Sequence, residues 1–96
     1  MGNIFDSLKQ IGQLKQQAAQ FDRLLRSKTV EVSSPKGEIK LVINGKMELI
    51  SIDISPDILK PENKSYIEKL LRNTFASAQR EIERIISSEV RSTLGL

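Results

Sequence analysis

Lys69, Arg72, Arg80, Arg84 and Arg91 recur at spacings that place them on one side of a helix. At about 100° per residue they fall within an arc of roughly 120°. Ile67, Leu71, Ala78, Ile82 and Ile85 fall about opposite. One helix can therefore bury an apolar seam and turn a row of cations outward. Such a row suits successive phosphate groups, because guanidinium forks match phosphate oxygens. The same spacing also describes an ordinary solvated face, since Glu83 interrupts it and Glu–Arg neighbours partly neutralise it. Nearer the N-terminus, Lys9, Lys15, Arg23 and Arg26 stand against Asp6 and Asp22. Gln10, Gln13, Gln16, Gln17 and Gln20 can also donate to phosphates, although a solvated helix surface explains them equally well.

Other chemistries find less support. The sequence has no histidine and no cysteine. That removes the usual base of nucleophilic catalysis, thiolate chemistry and the commonest transition-metal ligands. Glu81 and Glu83 point in different directions on a helix, and Glu31, Glu38, Glu48 and Asp53 sit in strand-like stretches. No carboxylate pair has the spacing of an acid–base couple. Gly37 and Gly45 are isolated turn glycines rather than a phosphate-cradling loop. No catalytic residue, metal site, cofactor or small-molecule substrate is expected. Aromatic residues make up only 4% of the chain, and Phe21 and Phe75 sit at apolar positions, which argues against binding single strands by base stacking.

The elements that must carry these residues follow from hydrophobic period. Ile4, Leu8, Ile11, Leu14, Ala18, Phe21 and Leu25 recur three or four residues apart, predicting an amphipathic helix from about Asn3 to Arg26. The period then shortens between Lys28 and Ser55. Thr29 to Ser33 alternates, as does Glu38 to Ile43, with Ser34-Pro35-Lys36-Gly37 as turn chemistry between them. Asn44-Gly45 signals a two-residue type I′ hairpin turn, and a third strand is expected from about Lys46 to Ile54. Ile50, Ile52 and Ile54 share one face of that strand. Met47 and Leu49 fall on the other face unless a bulge shifts the register. Without a bulge, the sheet has apolar groups on both sides and calls for a partner. After Ser55-Pro56-Asp57, Ile58-Leu59 forms a short turn plugging the core. A long helix then runs from about Glu62, with Pro61 at its start and Gly95 as a stop signal. The fold class is α+β: a helix, a three-stranded antiparallel meander and a long C-terminal helix, in a single domain spanning residues 1–96.

Length bears on assembly. A helix of about 30 residues spans about 45 Å, whereas a compact domain of this size has a radius of gyration near 12–13 Å. The distal turns from Ile82 to Leu94 must therefore pack on another helix: the protomer's own first helix, a partner's, or both. A chain this small gains stability by pairing, and a homodimer is expected to use Met47 and Leu49 on the sheet and Ile82, Ile86 and Val90 on the last helix. The net charge of +3 permits contact with a polyanion without demanding it. The N-terminal Met1-Gly2-Asn3-Ile4-Phe5-Asp6 lacks the pattern of a secretory signal or a myristoylation site. No apolar run is long enough to span a bilayer, so a cytoplasmic location without a membrane partner is expected.

Three stretches in order resemble those of YbaB/EbfC proteins. Gly37-Glu38-Ile39-Lys40-Leu41-Val42-Ile43-Asn44-Gly45 is similar to their G-x-V-x-V-x-x-N-G strand and turn. Ile50-Ser51-Ile52-Asp53-Ile54-Ser55-Pro56 is similar to their V-x-I-D-P stretch, with one extra residue before Pro56. Leu70 to Ala78 is similar to their L-x-x-x-x-x-A-x-N-x-A region, and the Gln/Lys-rich stretch Leu8 to Arg26 also fits. The family's Met-rich first helix and Pro/Gly-rich tail have no counterpart here. The resemblance implies a non-enzymatic homodimer with two protruding helical arms that binds double-stranded DNA and organises the nucleoid. The arms then carry the contacts, through Lys9, Lys15, Arg23, Arg26, Lys69, Arg72, Arg80, Arg84 and Arg91, chosen by charge and facing. The competing reading is a dimeric protein-interaction adaptor or chaperone without DNA binding, against which the basic balance counts.

Overall fold

The computed structural model describes residues 4–95. In chain order it contains α1 (Ile4–Ser27), β1 (Thr29–Ser33), β2 (Ile39–Asn44), β3 (Leu49–Ile54), two short 3₁₀ turns (Pro56–Ile58 and Pro61–Asn63) and α2 (Lys64–Leu94). The first helix runs one residue past its expected end, and its expected start at Asn3 lies outside the described residues. The strands form one antiparallel sheet in the order β1-β2-β3, the predicted meander.

The sheet and α2 share the core. Ile39, Leu41 and Ile43 alternate along β2 and are fully buried, as expected for the inward face of a central strand. Thr74, Ala78 and Ile82 supply the buried stripe of α2. One cluster joins Val30, Ile43, Ala78 and Ile82, and a second joins Ile39, Leu41 and Ile58; Phe75 packs against both. Phe75 is thus a core residue, as its position on the apolar face implied, whereas Phe21, read as core on the same grounds, is about half exposed because the sheet does not reach that part of α1. Ile58 plugs the core as expected, whereas its neighbour Leu59 is exposed. At the far end of α2, Gly95 takes a left-handed φ of 73° and donates to the carbonyls of Arg91 and Ser92, closing the helix as a glycine cap does.

One feature differs from the expected meander, and another decides between the two arrangements left open for β3. The Asn44-Gly45 turn is not a two-residue I′ turn. Met47 donates to the Asn44 carbonyl at 3.0 Å and Asn44 to the Glu48 carbonyl at 3.1 Å, so three residues form the loop, and the positive φ falls on Met47 at 61°. Asn44 stabilises it from inside: its Oδ1 accepts from the amides of Lys46 at 2.9 Å and Glu48 at 3.1 Å. Gly45 is needed for another reason. Its amide donates to the carbonyls of Leu25 and Lys28, both at 2.9 Å, tying the hairpin to the end of α1. A Cβ at Gly45 would lie 2.5 Å from the Leu25 carbonyl oxygen. Gly45→Ala is therefore expected to destabilise the fold by about 1–3 kcal/mol, the usual cost of forcing backbone apart in a packed site. Thermal denaturation checks this, and an unchanged midpoint would show that the hairpin does not depend on this close approach.

The register of β3 follows the first of those arrangements, a bulge. Val42 pairs with Ser51, but Ile43 pairs with Leu49, so one extra residue on β3 is taken up as a bulge. Ile54, Ile52 and Leu49 thereby oppose Ile39, Leu41 and Ile43 on the helix side of the sheet. Yet α2 packs over β1 and β2 rather than β3, and Leu49, Ile50 and Ile52 remain about half exposed. The chain is also elongated, with extents of 70 × 28 × 17 Å and a radius of gyration of 19.7 Å, well above the compact expectation. The first helix, α1, buries no residue and leaves Ile4, Phe5, Leu8, Ile11 and Leu14 exposed.

Candidate nucleic-acid interface

Because α2 gives its buried stripe to the sheet, its opposite side is free for charge. Lys69, Arg72, Arg80, Arg84 and Arg91 are all exposed, forming the outward strip that helical periodicity predicted. They are not electrostatically equivalent. Among the described residues, Lys69, Arg72, Arg80 and Arg91 are in no ion pair, and Arg80 donates to the Ser77 hydroxyl at 3.1 Å. Arg84 instead forks onto Glu81, with its Nη2 on Oε1 and its Nε at 3.5 Å from Oε2. Hydrogen bonding to Arg84 holds the Glu81 carboxyl below its usual range, and the same bond holds the guanidinium proton more tightly.

The cations of α1 divide in the same way. Lys9, Lys15 and Arg23 are exposed and unpaired among the described residues. Arg26 is exposed but engaged, 3.2 Å from Asp22 and 3.8 Å from Glu48. Asp22 also takes Lys46, and that hydrogen bond is the main reason its carboxyl titrates below its usual range. Arg26 thus sits in a near-neutral network joining α1 to the β2–β3 loop. Being exposed, these pairs fix geometry more than they add stability. A further pair that the sequence did not suggest, Lys28 to Glu89 at 3.5 Å, ties the end of α1 to the distal part of α2.

Alongside that pair, Phe21, Leu24, Leu25, Ile86, Val90 and Leu94 line an apolar groove of about 210 Å³ between the helices. The distal turns of α2 therefore face the protomer's own first helix, one of the alternatives left open by the sequence. The groove is smaller than the ~300–1,000 Å³ typical of small-molecule sites. Of the residues expected at a dimer contact, Leu49 is exposed, Met47, Ile86 and Val90 are partly covered, and Ile82 is completely buried in the protomer's own core. Ile82 therefore has no surface left for a partner. Ile50 and Ile52, which the sequence reading did not assign to a contact, offer more.

Ser88 and Ser92 were not singled out by sequence, yet with Arg84 and Arg91 they line an open polar depression on α2. Their spacing from Arg84, four and eight residues, was the available signal. Among the described residues no three metal-ligating side chains cluster, and no helix is long and apolar enough to cross a membrane.

The profile of the YbaB/EbfC DNA-binding family matches residues 1–96. The chain belongs to that family. Its relatives include a nucleoid-associated protein of Thermoanaerobacter pseudethanolicus, 33% identical over 97% of this chain and 84% of the relative. A nucleoid-associated protein of Pelotomaculum thermopropionicum is 29% identical over 98% of this chain and 90% of the relative. Among solved structures, an uncharacterized protein from Helicobacter pylori has the same fold, with a TM-score of 0.70 at 16% identity, covering 98% of this chain and 99% of that one. This YbaB/EbfC chain thus carries the helix–meander–helix order through a sequence divergence large enough to erase most side-chain identities.

Proposed function

We propose that this protein is a nucleoid-associated DNA-binding protein that acts as a homodimer, gripping duplex DNA through its backbone phosphates. Its role is then non-enzymatic, in nucleoid organisation or gene regulation within the bacterial cytoplasm. The observation that carries this reading is the exposed strip on α2, in which four of five cations have no carboxylate partner among the described residues while the opposite side of the helix is committed to the core. Family membership supplies the partner: DNA. Phosphates suit the strip better than base edges do, because no short recognition helix is set up to enter the major groove.

The dimer is supported by what the protomer leaves uncovered. β3 extends the helix side of the sheet past α2 and exposes Leu49, Ile50 and Ile52 next to the buried core. A second copy related by a two-fold axis can cover this face while having its own covered in return. Pairing also doubles the cationic strip presented to one duplex.

A salt-titrated binding assay on protein of verified oligomeric state tests the reading. Affinity is expected to fall steeply and linearly on a log–log plot as salt rises, because bound counterions are released, and to be similar for unrelated duplex sequences. A folded dimer that does not retain duplex DNA at low salt would refute it and would favour a protein-interaction adaptor.

A further inference from the structure

The polar depression on α2 has a composition that a generic solvated helix face does not require. Arg84, Ser88, Arg91 and Ser92 occur at helical positions i, i+4, i+7 and i+8, so they line one strip over about 12 Å of helix length. Two guanidinium forks and two hydroxyl groups, all exposed, converge there. Each can donate to an anionic oxygen, and no carboxylate lines the depression itself. At its edge, however, stands Glu81, less exposed than Arg84 and bonded to it through both guanidinium nitrogens on that side.

We propose that Arg84, Ser88, Arg91 and Ser92 form a seat for DNA phosphodiesters, and that Glu81 is a built-in competitor which occupies the Arg84 fork within that seat until DNA displaces it. The inference rests on the phosphate-binding reading above and adds to it a regulated position within the strip. A carboxylate and a phosphodiester are alternative acceptors for the same guanidinium fork. Seating a phosphate on Arg84 therefore requires breaking the Glu81 pair, which weakens binding at this one position. Among the described residues Arg91 carries no such competitor, so it docks first and Arg84 second. The consequence is a grip on DNA held below its full strength.

The test compares the wild-type chain with Glu81→Gln, Arg84→Ala, the Glu81→Gln/Arg84→Ala double variant, Ser88→Ala/Ser92→Ala and Glu62→Gln, using fluorescence anisotropy with a 20-base-pair duplex of arbitrary sequence. Glu62 lies just before the opposite end of α2, so its replacement removes the same charge without touching the seat. Exposed ion pairs are weak, so Glu81→Gln is expected to tighten binding by about threefold per seat. The gain should vanish when Arg84 is already alanine, and Glu62→Gln should give a smaller gain. Ser88→Ala/Ser92→Ala should weaken binding by a similar factor with unchanged helicity. If the wild type binds DNA but Glu81→Gln matches Glu62→Gln, or its gain survives in the Arg84→Ala background, the competitor is overturned while the phosphate reading stands. An unchanged affinity on losing both hydroxyls overturns the seat. If neither the wild type nor Glu81→Gln binds at low salt, the DNA reading itself falls, and the seat with it.

Discussion

Replacing Arg72, Arg80 and Arg91 together with alanine is expected to lower affinity for duplex DNA by about a hundredfold or more at low salt, and to flatten the salt dependence by up to about five log units per log unit of salt across a dimer. The magnitude follows from the state of these three side chains. They are exposed on one face of α2 and, among the described residues, have no carboxylate partner, so their charge is available to a phosphate. Each contact formed releases close to one counterion, with a slope of about 0.9 per phosphate. The loss should be the same for unrelated sequences, because phosphates carry no sequence information. Folding should hardly change, since none of the three contributes to either core cluster. Arg26→Ala is the informative contrast. It removes an equal charge, but one already divided between Asp22 and Glu48, so a much smaller loss is expected. Equal losses for Arg26→Ala and for any one member of the triple would mean that binding follows net charge alone and not the strip.

The division between engaged and free cations is also where sequence reading reached its limit. The helical period placed Lys69, Arg72, Arg80, Arg84 and Arg91 outward correctly, because the side of α2 facing the sheet is written in its own apolar residues. What the period could not show is the partner across the fold. Asp22 meets Lys46 across twenty-four positions, and Lys28 meets Glu89 across far more. Only the i, i+3 and i, i+4 pairs, such as Arg84 with Glu81 and Arg26 with Asp22, lie within reach of local spacing. Turn chemistry failed for the same reason. Asn44-Gly45 carries a strong hairpin signal, and a hairpin forms. The glycine, however, answers to the Leu25 carbonyl of α1 rather than to a positive φ of its own, and the left-handed residue is Met47 instead. The register of β3 was ambiguous because apolar residues fall on both parities of that strand. A single bulge before the Val42–Ser51 pair resolves it by moving Leu49 onto the side of Ile52 and Ile54.

That resolved register makes the proposed dimer testable without unfolding the protomer. If the proposed dimer pairs through β3, Ile52→Lys, or Leu49→Lys with it, is expected to give a folded monomer, seen as a halved mass by light scattering with an unchanged helical signal. Within the protomer Ile52 and Leu49 are about half exposed, so a lysine there can extend its charge into water at little cost to the chain. Against a partner, the same charge would be buried without a counter-ion, which an interface core does not tolerate. Ile82 is the opposite case. It is fully enclosed by Val30, Ile43 and Ala78, so Ile82→Ala should cost about 2–5 kcal/mol of fold stability and act on the dimer only through unfolding. DNA affinity should fall with the dimer, by about 10²-fold or more, because the second strip then no longer benefits from the first being bound. A Leu49→Lys/Ile52→Lys protein that stays dimeric would move the interface away from β3, leaving the uncovered stripe of α1 from Ile4 to Leu14 as the surface that pairs.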